Sequence, residues 1–221
     1  MTRTALFDVD GTLVDSNDLH AEAWRMAFAH FGHDVPRPPI RSQIGKGGDN
    51  LIPALLPDLP DAQRDEIDQW RGALFKRDFL PRVTPFPEVR SLFERLAADG
   101  WRIVLASSGG AEEVAFHLGL TGAADLVFDT TSRDDAASSK PCPDIFAAAL
   151  DKAGADAAEA IVVGDTPYDV AAAGKIGLRA IGLLCGGFSE QDLAGAIARY
   201  RDPAHLLTCY NETAFAAAAV T

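Results

Sequence analysis

The sequence predicts an α/β fold, an open parallel sheet with helices on both faces and a helical unit inserted after the first strand. Short apolar runs recur along the chain, each followed by a loop, and helical patterns separate them. One long interval, 16–83, breaks this alternation with helical patterns alone.

The first run, Leu6-Phe7, is closed by Asp8-Val9-Asp10-Gly11-Thr12. An extended backbone places Asp8 and Asp10 on one face. Two anions about 4 Å apart repel by roughly 4 kcal/mol at an effective dielectric near 20, so such a pair calls for a cation, a proton or a substrate. The interval 16–83 follows. Its first helical segment carries Leu19, Ala23, Met26 and His30 on one stripe and Trp24, Phe28 and Phe31 on another; the second, over 62–80, has Ile67, Trp70 and Leu74 at helical spacing. Prolines 36, 38 and 39 lie between them, and Pro81, Pro85 and Pro87 mark the exit. The interval is expected to be a cap that opens and closes over the site.

The later runs are Ile103-Val104-Leu105-Ala106, Leu126-Val127-Phe128, Ile161-Val162-Val163 and Ala180-Ile181-Gly182-Leu183. Unbroken apolar runs suit strands buried on both faces. Helices are expected over 88–99, 111–118, 143–153 and 168–176, which implies right-handed crossovers. Residues 1–15 and 84–210 then form a discontinuous core domain, and 211–221 a tail that extends a last helix or frays. Ligands of such sheets sit beyond the carboxyl ends of the strands, where Asp8, Ser107 and Asp165 fall.

Composition narrows the function. The 221 residues suffice for a sizeable core, and 48% hydrophobic with 24% charged residues is ordinary for a globular chain. A net charge of -12 argues against non-specific attraction to nucleic acid or an anionic membrane, so a phosphate-bearing partner has to be held by local groups. Cys142, Cys185 and Cys209 are far apart and signal neither a disulfide framework nor a zinc ribbon. No run reaches the roughly 20 apolar residues of a membrane span, and no leader pattern is visible; the expected setting is cytoplasmic. Oligomeric state is left open.

Four motifs taken together resemble those of the haloacid dehalogenase superfamily: Asp8-Val9-Asp10-Gly11-Thr12-Leu13-Val14-Asp15-Ser16; Ser107; Lys140-Pro141-Cys142-Pro143-Asp144; and Gly164-Asp165-Thr166-Pro167-Tyr168-Asp169. The resemblance implies a Rossmann-like core with a helical cap and a Mg²⁺-dependent phosphatase acting on a small phosphorylated metabolite. It makes Asp8 the nucleophile of an aspartyl-phosphate route and Asp10 the acid to the leaving oxygen and base to water. Crowding by Asp8 is expected to raise the pKa of Asp10, with a bound cation acting the other way. Asp8, Asp165 and the main-chain carbonyl of Asp10 would hold the metal, with Asp169 orienting a metal-bound water or Lys140. Lys140, Ser107, the Ser108 amide and Gly11 would surround the phosphoryl group, while Thr12 is expected to bond locally within the turn.

Two further residues carry alternative readings. His20 lies in a stretch similar to the first cap helix of the β-phosphoglucomutase branch, where a histidine couples cap closure to catalysis; it reads equally as a half-buried helix histidine. Lys46, in Gly45-Lys46-Gly47-Gly48, is either a substrate-facing specificity residue or part of a flexible turn before the helix at Leu51; Arg41 and Asn50 are weaker candidates still. The competing activities are a β-phosphoglucomutase-type phosphomutase, a metal-independent 2-haloacid dehalogenase and a non-catalytic phospholigand-binding domain. The single acid in Gly164-Asp165 disfavours the mutase, and a dehalogenase would leave Asp10 and Asp165 unexplained.

Overall fold

The computed structural model describes residues 3–217. Its strands and helices, in chain order, are β1 (Thr4–Phe7), β2 (Val14–Asp15), α1 (Asn17–His30), α2 (Arg37–Gln43), α3 (Gly48–Leu55), α4 (Asp61–Leu74), β3 (Thr84–Pro85), α5 (Val89–Ala98), β4 (Arg102–Ala106), α6 (Ala111–Thr121), β5 (Asp129–Thr131), α7 (Asp144–Ala153), β6 (Ala160–Gly164), α8 (Pro167–Lys175), β7 (Arg179–Leu183), β8 (Ala198–Tyr200), α9 (Pro203–Thr208) and α10 (Ala214–Ala217).

Six strands form one parallel sheet in the order β5-β4-β1-β6-β7-β8. Because the side-chain period along a strand is two, each strand feeds both faces. Leu6, Val104, Ala106 and Val162 pack against Ile145 and Phe146 of α7 and Ala172 of α8. Phe7, Leu105, Val163 and Ile181 join Val89, Leu92 and Phe93 of α5 on the other face. Each fully buried Phe or Leu contributes about 1.5–3 kcal/mol, and both layers are continuous with the strands that end at the site.

The strand order reverses at β1. The chain runs outward through β4 and β5, then returns to the other side of β1 with β6, so Phe7 pairs with Leu105 and with Val163. The loops after β1, β4 and β6 therefore leave the sheet side by side, opening a crevice at the switch point.

Between β2 and β3, which pair antiparallel, the chain makes helices α1 to α4 around a cluster of Trp24, Phe28, Ile40, Leu51, Ile52 and Ile67. Two helical segments are expected there and four occur. The reason is local: Pro38 falls in the first turn of α2, where its missing N–H costs nothing, so the proline run opens a helix instead of only separating two. After α4 the chain continues through a π-helical turn, Phe75–Phe79, that sets Phe75 against His20.

Two other departures concern the sheet. The apolar run at 126–128 is not the strand; Ala124–Leu126 is a short 3₁₀ turn and pairing with β4 begins at Asp129. Phe128 is exposed, so that run marks the approach to an edge strand whose paired residues are polar. β8 is also unanticipated, since Ala198-Arg199-Tyr200 has only an edge to cover and no apolar run. The tail contributes α10, packed through Phe215 on Trp101, and its remainder lies outside the described residues.

Candidate active site

Asp8, one residue beyond β1, is buried, and its two oxygens are held separately. Lys140 Nζ lies 2.5 Å from Oδ1, and the Thr12 hydroxyl lies 3.1 Å from Oδ2. Lys140, itself fully buried, also donates to the Ala106 carbonyl (3.1 Å) and is 2.7 Å from Asp169 Oδ1. Asp169 is fixed by the start of α8: its other oxygen accepts from the Thr166 amide and hydroxyl in a capping box. One local helix-start motif thus aims a carboxylate at the lysine.

Asp165 follows β6 and is fully buried, with Asn17 Nδ2 at 2.7 Å from Oδ2 and the Thr12 hydroxyl at 3.2 Å from Oδ1. The main chain around it has no room for side chains. A Cβ on Gly186 would overlap the Asp165 carboxylate, and one on Gly11 would overlap both Asn17 and Asp165. Gly11 sits at φ +77, a conformation glycine adopts without strain. Its amide donates to the Val14 carbonyl (2.8 Å), and Gly11 supplies the turn and the space beside Asp165. Thr12 departs from its expected local role, since its buried hydroxyl bridges two site carboxylates instead of bonding only within the turn.

Oxygens of Asp8, Asp165 and Asp169 lie within 4.8 Å of one another, a group able to hold a metal ion. Three carboxylates face one ammonium, and the imbalance bears on Asp8 and Asp165. Burial pushes Asp8 up to about 7, opposed by Lys140 and reinforced by Asp169 and Asp10. Burial likewise raises Asp165 well above the carboxylate range, helped by Asp8 and Asp169. The all-oxygen donor set with surplus negative charge fits a hard divalent cation.

Asp10 stands in a different environment. Ser16, the residue preceding α1, gives its hydroxyl to Asp10 Oδ1 (2.6 Å) instead of capping the helix, and His20 Nε2 donates to the same oxygen at 3.0 Å. His117 Nδ1 is 3.6 Å away. Burial works upward on Asp10, but the charges of His20 and His117 and the hydrogen bonds of His20 and Ser16 outweigh it and hold the carboxyl well below the usual range. This overturns the expectation that crowding by Asp8 raises it: two imidazoles, not Asp8, dominate its surroundings.

Ser107 and Ser108 follow β4. They line a cavity of about 250 Å³ between the strand ends and the helical insertion, together with Gly47, Gly48 and Ser139. A smaller recess of about 60 Å³ is lined by Asp8, Asp10, His20, Lys46 and Ser108. Asp8, Asp10, His20, Lys46, Ser107 and Ser108 thus line these cavities, and Asp8, Lys140, Asp165 and Asp169 make up the carboxylate–lysine network. Lys46 reaches Gln43 (2.6 Å) and lies 4.6 Å over the Tyr168 ring; burial lowers its pKa. Arg41 and Asn50 reach across from the insertion, Arg41 to the Gly186 carbonyl and Asn50 to Ser139 (3.0 Å).

The sequence model of the haloacid dehalogenase-like hydrolases matches residues 2–177. The chain belongs to that family. This haloacid dehalogenase-like hydrolase is 30% identical over 220 residues to a phosphoglycolate phosphatase of Rhodospirillum rubrum, covering 93% of the chain and 90% of the relative. It is 29% identical over 181 residues to the pyrophosphatase PpaX of Bacillus pumilus, covering 81% and 82%. Among solved structures, a hydrolase from Pseudomonas syringae superposes with a TM-score of 0.89 at 29% identity, over 96% of this chain and 99% of that one. A β-phosphoglucomutase-like protein of Bacteroides vulgatus superposes at 0.86 and 21% identity, over 100% and 91%, a likeness of fold. No helix among the described residues is long and apolar enough to cross a membrane.

Asn17, Glu113 and His117 were not singled out in the sequence. Asn17 stood beside the first motif, and its signal was the need of Asp165 for a donor. Glu113 and His117, four apart on α6, show as a same-face pair only once α6 is known to start beside Ser107.

Proposed function

We propose that this hydrolase is a Mg²⁺-dependent phosphatase that releases orthophosphate from a small phosphorylated metabolite, phosphoglycolate-like or sugar-phosphate-like. The observation that carries the reading is the Asp8–Lys140 contact at 2.5 Å beside the Asp165 carboxylate, which presents a buried nucleophile with a fixed cation and room for a second. The names of the curated relatives support phosphate-ester or phosphoanhydride substrates.

In the first step the Asp8 carboxylate attacks phosphorus, the bond to the leaving oxygen breaks, and Asp10 gives that oxygen a proton. In the second, Asp10 takes a proton from water as it attacks the aspartyl-phosphate, and Asp8 departs with orthophosphate released. Lys140 holds Asp8 and the phosphoryl oxygens, with Ser107 and the Ser108 amide as further donors. Asp8, Asp165 and the Asp10 carbonyl would hold Mg²⁺, which when bound supplies the charge that keeps Asp8 ionised and neutralises the phosphoryl oxygens. Asp10 is the ionised partner of His20 here, and His20 rides on α1 of the insertion. The insertion serves as a cap (16–83) whose docking sets His20 on Asp10 in the ionised form that takes the proton from water.

Phosphate release from a panel of sugar phosphates, phosphoglycolate and nucleotides, with and without Mg²⁺, tests the reading. Mg²⁺-dependent release lost in Asp8→Asn is expected; undiminished turnover in that variant overturns it. The His20–Asp10 contact also suits a phosphomutase, and isomerisation of a sugar 1-phosphate without net phosphate release would favour that second reading.

A further inference from the structure

Behind Asp10 lies a second cluster that the phosphatase chemistry does not use. Glu113 and His117 project from one face of α6, and both are buried, at 7% and 0% exposure. Glu113 Oε1 and both ring nitrogens of His117 lack a hydrogen-bond partner among the described residues. Buried polar atoms are nearly always satisfied, and a group of orphans in one place marks the position of an ion or water.

We propose that Asp10, Glu113 and His117 form a metal site separate from the Asp8 cluster, selective for a borderline transition ion of the Zn²⁺ class, whose occupancy withdraws the Asp10 carboxylate from catalysis. Donor atoms of the three lie within 4.8 Å of one another. The His117 Nδ1 to Asp10 Oδ1 separation is 3.6 Å, close to the roughly 3.3 Å between two donors of a tetrahedral ion bound at about 2.0–2.1 Å. His20 Nε2, 3.5 Å from Glu113 Oε1, borders the group and hydrogen-bonds Asp10, as the outer partners of metal ligands do.

Chemistry separates the two clusters. Asp8, Asp165 and Asp169 offer oxygen alone, whereas this one mixes carboxylates with imidazole, which favours Zn²⁺ over Mg²⁺. Asp10 and Glu113 line the 60 Å³ recess, which gives an ion its path. The binding claim is independent of the proposed function; the inhibitory consequence rests on the acid–base role given there to Asp10.

The test uses an Asp8→Asn/Asp165→Asn double variant, in which the oxygen-only cluster is disabled. Zn²⁺ titrated against a chromophoric chelator is expected to bind at one equivalent, and Co²⁺ in its place to show visible bands with a paramagnetically shifted imidazole resonance. Adding Glu113→Gln or His117→Gln in that background should weaken binding by at least about tenfold. In the wild-type protein Zn²⁺ should inhibit turnover without relief by excess Mg²⁺. Loss of the bound equivalent in the double variant, or unchanged affinity after both further substitutions, overturns the site. Should those substitutions prevent folding, an oxygen-only Co²⁺ signature in the double variant overturns it alone. Tight Zn²⁺ binding with undiminished turnover keeps the site and overturns the role of Asp10.

Discussion

The Thr12 hydroxyl lies 3.1 Å from Asp8 Oδ2 and 3.2 Å from Asp165 Oδ1, one proton shared between two buried carboxylates. Thr12→Val keeps the shape and removes the donor. We expect Mg²⁺ activation to require about 10–100-fold more metal, as for other outer partners of metal ligands. Activity titrated against Mg²⁺, with circular dichroism as the control for folding, checks this.

Lys140 is the sole cation in contact with both Asp8 and Asp169 among the described residues, and all three are buried. Lys140→Met leaves two carboxylates without it, and breaking a buried pair this way costs about 3–5 kcal/mol. Urea unfolding of metal-free protein should show that loss, with turnover falling as well. Added Mg²⁺ should restore part of the stability and little of the turnover.

Stability of the metal-free protein should fall as pH rises. The folded-state pKa of Asp8 is raised to about 7 from an ordinary 3.8, chiefly by burial, so between these values the folded state binds more protons than the unfolded one. The contribution of the protonated carboxyl is complete below about 4 and lost as pH passes 7. Melting temperatures from pH 5 to 8 should decline without Mg²⁺, and the stabilisation by saturating Mg²⁺ should grow over the same range. A flat metal-free profile would count against it.

Gly186→Ala puts a methyl group where the Asp165 carboxylate lies. Overpacking of this kind costs about 1–3 kcal/mol, and here the displaced group is a proposed metal ligand. Mg²⁺ affinity should drop more than stability does, measured by calorimetric titration alongside thermal unfolding.

The strands flanking the site were legible because they are buried on both faces and so read as unbroken apolar runs. β5 and β8 were not, because edge strands bury less and tolerate Asp129, Thr130 and Arg199 in paired positions. Asp8, Asp10 and Asp165 stood out through spacing and position at strand ends, and Lys140 only through the motif Lys140-Pro141-Cys142-Pro143-Asp144. Their surroundings did not: that Asp10 is ruled by His20 and His117, from α1 and α6, depends on three segments meeting in space. Spacing along the chain cannot show that two imidazoles outweigh a neighbouring aspartate.

The central place of β1 has a temporal consequence. Its partner β4 is made some way along the chain, and its other partner, β6, only when Ala160–Gly164 has been synthesised. A nascent polypeptide therefore carries Asp8, the proposed nucleophile, long before Asp165 exists to complete its surroundings. The carboxylate cluster is complete only when the returning segment docks against the first.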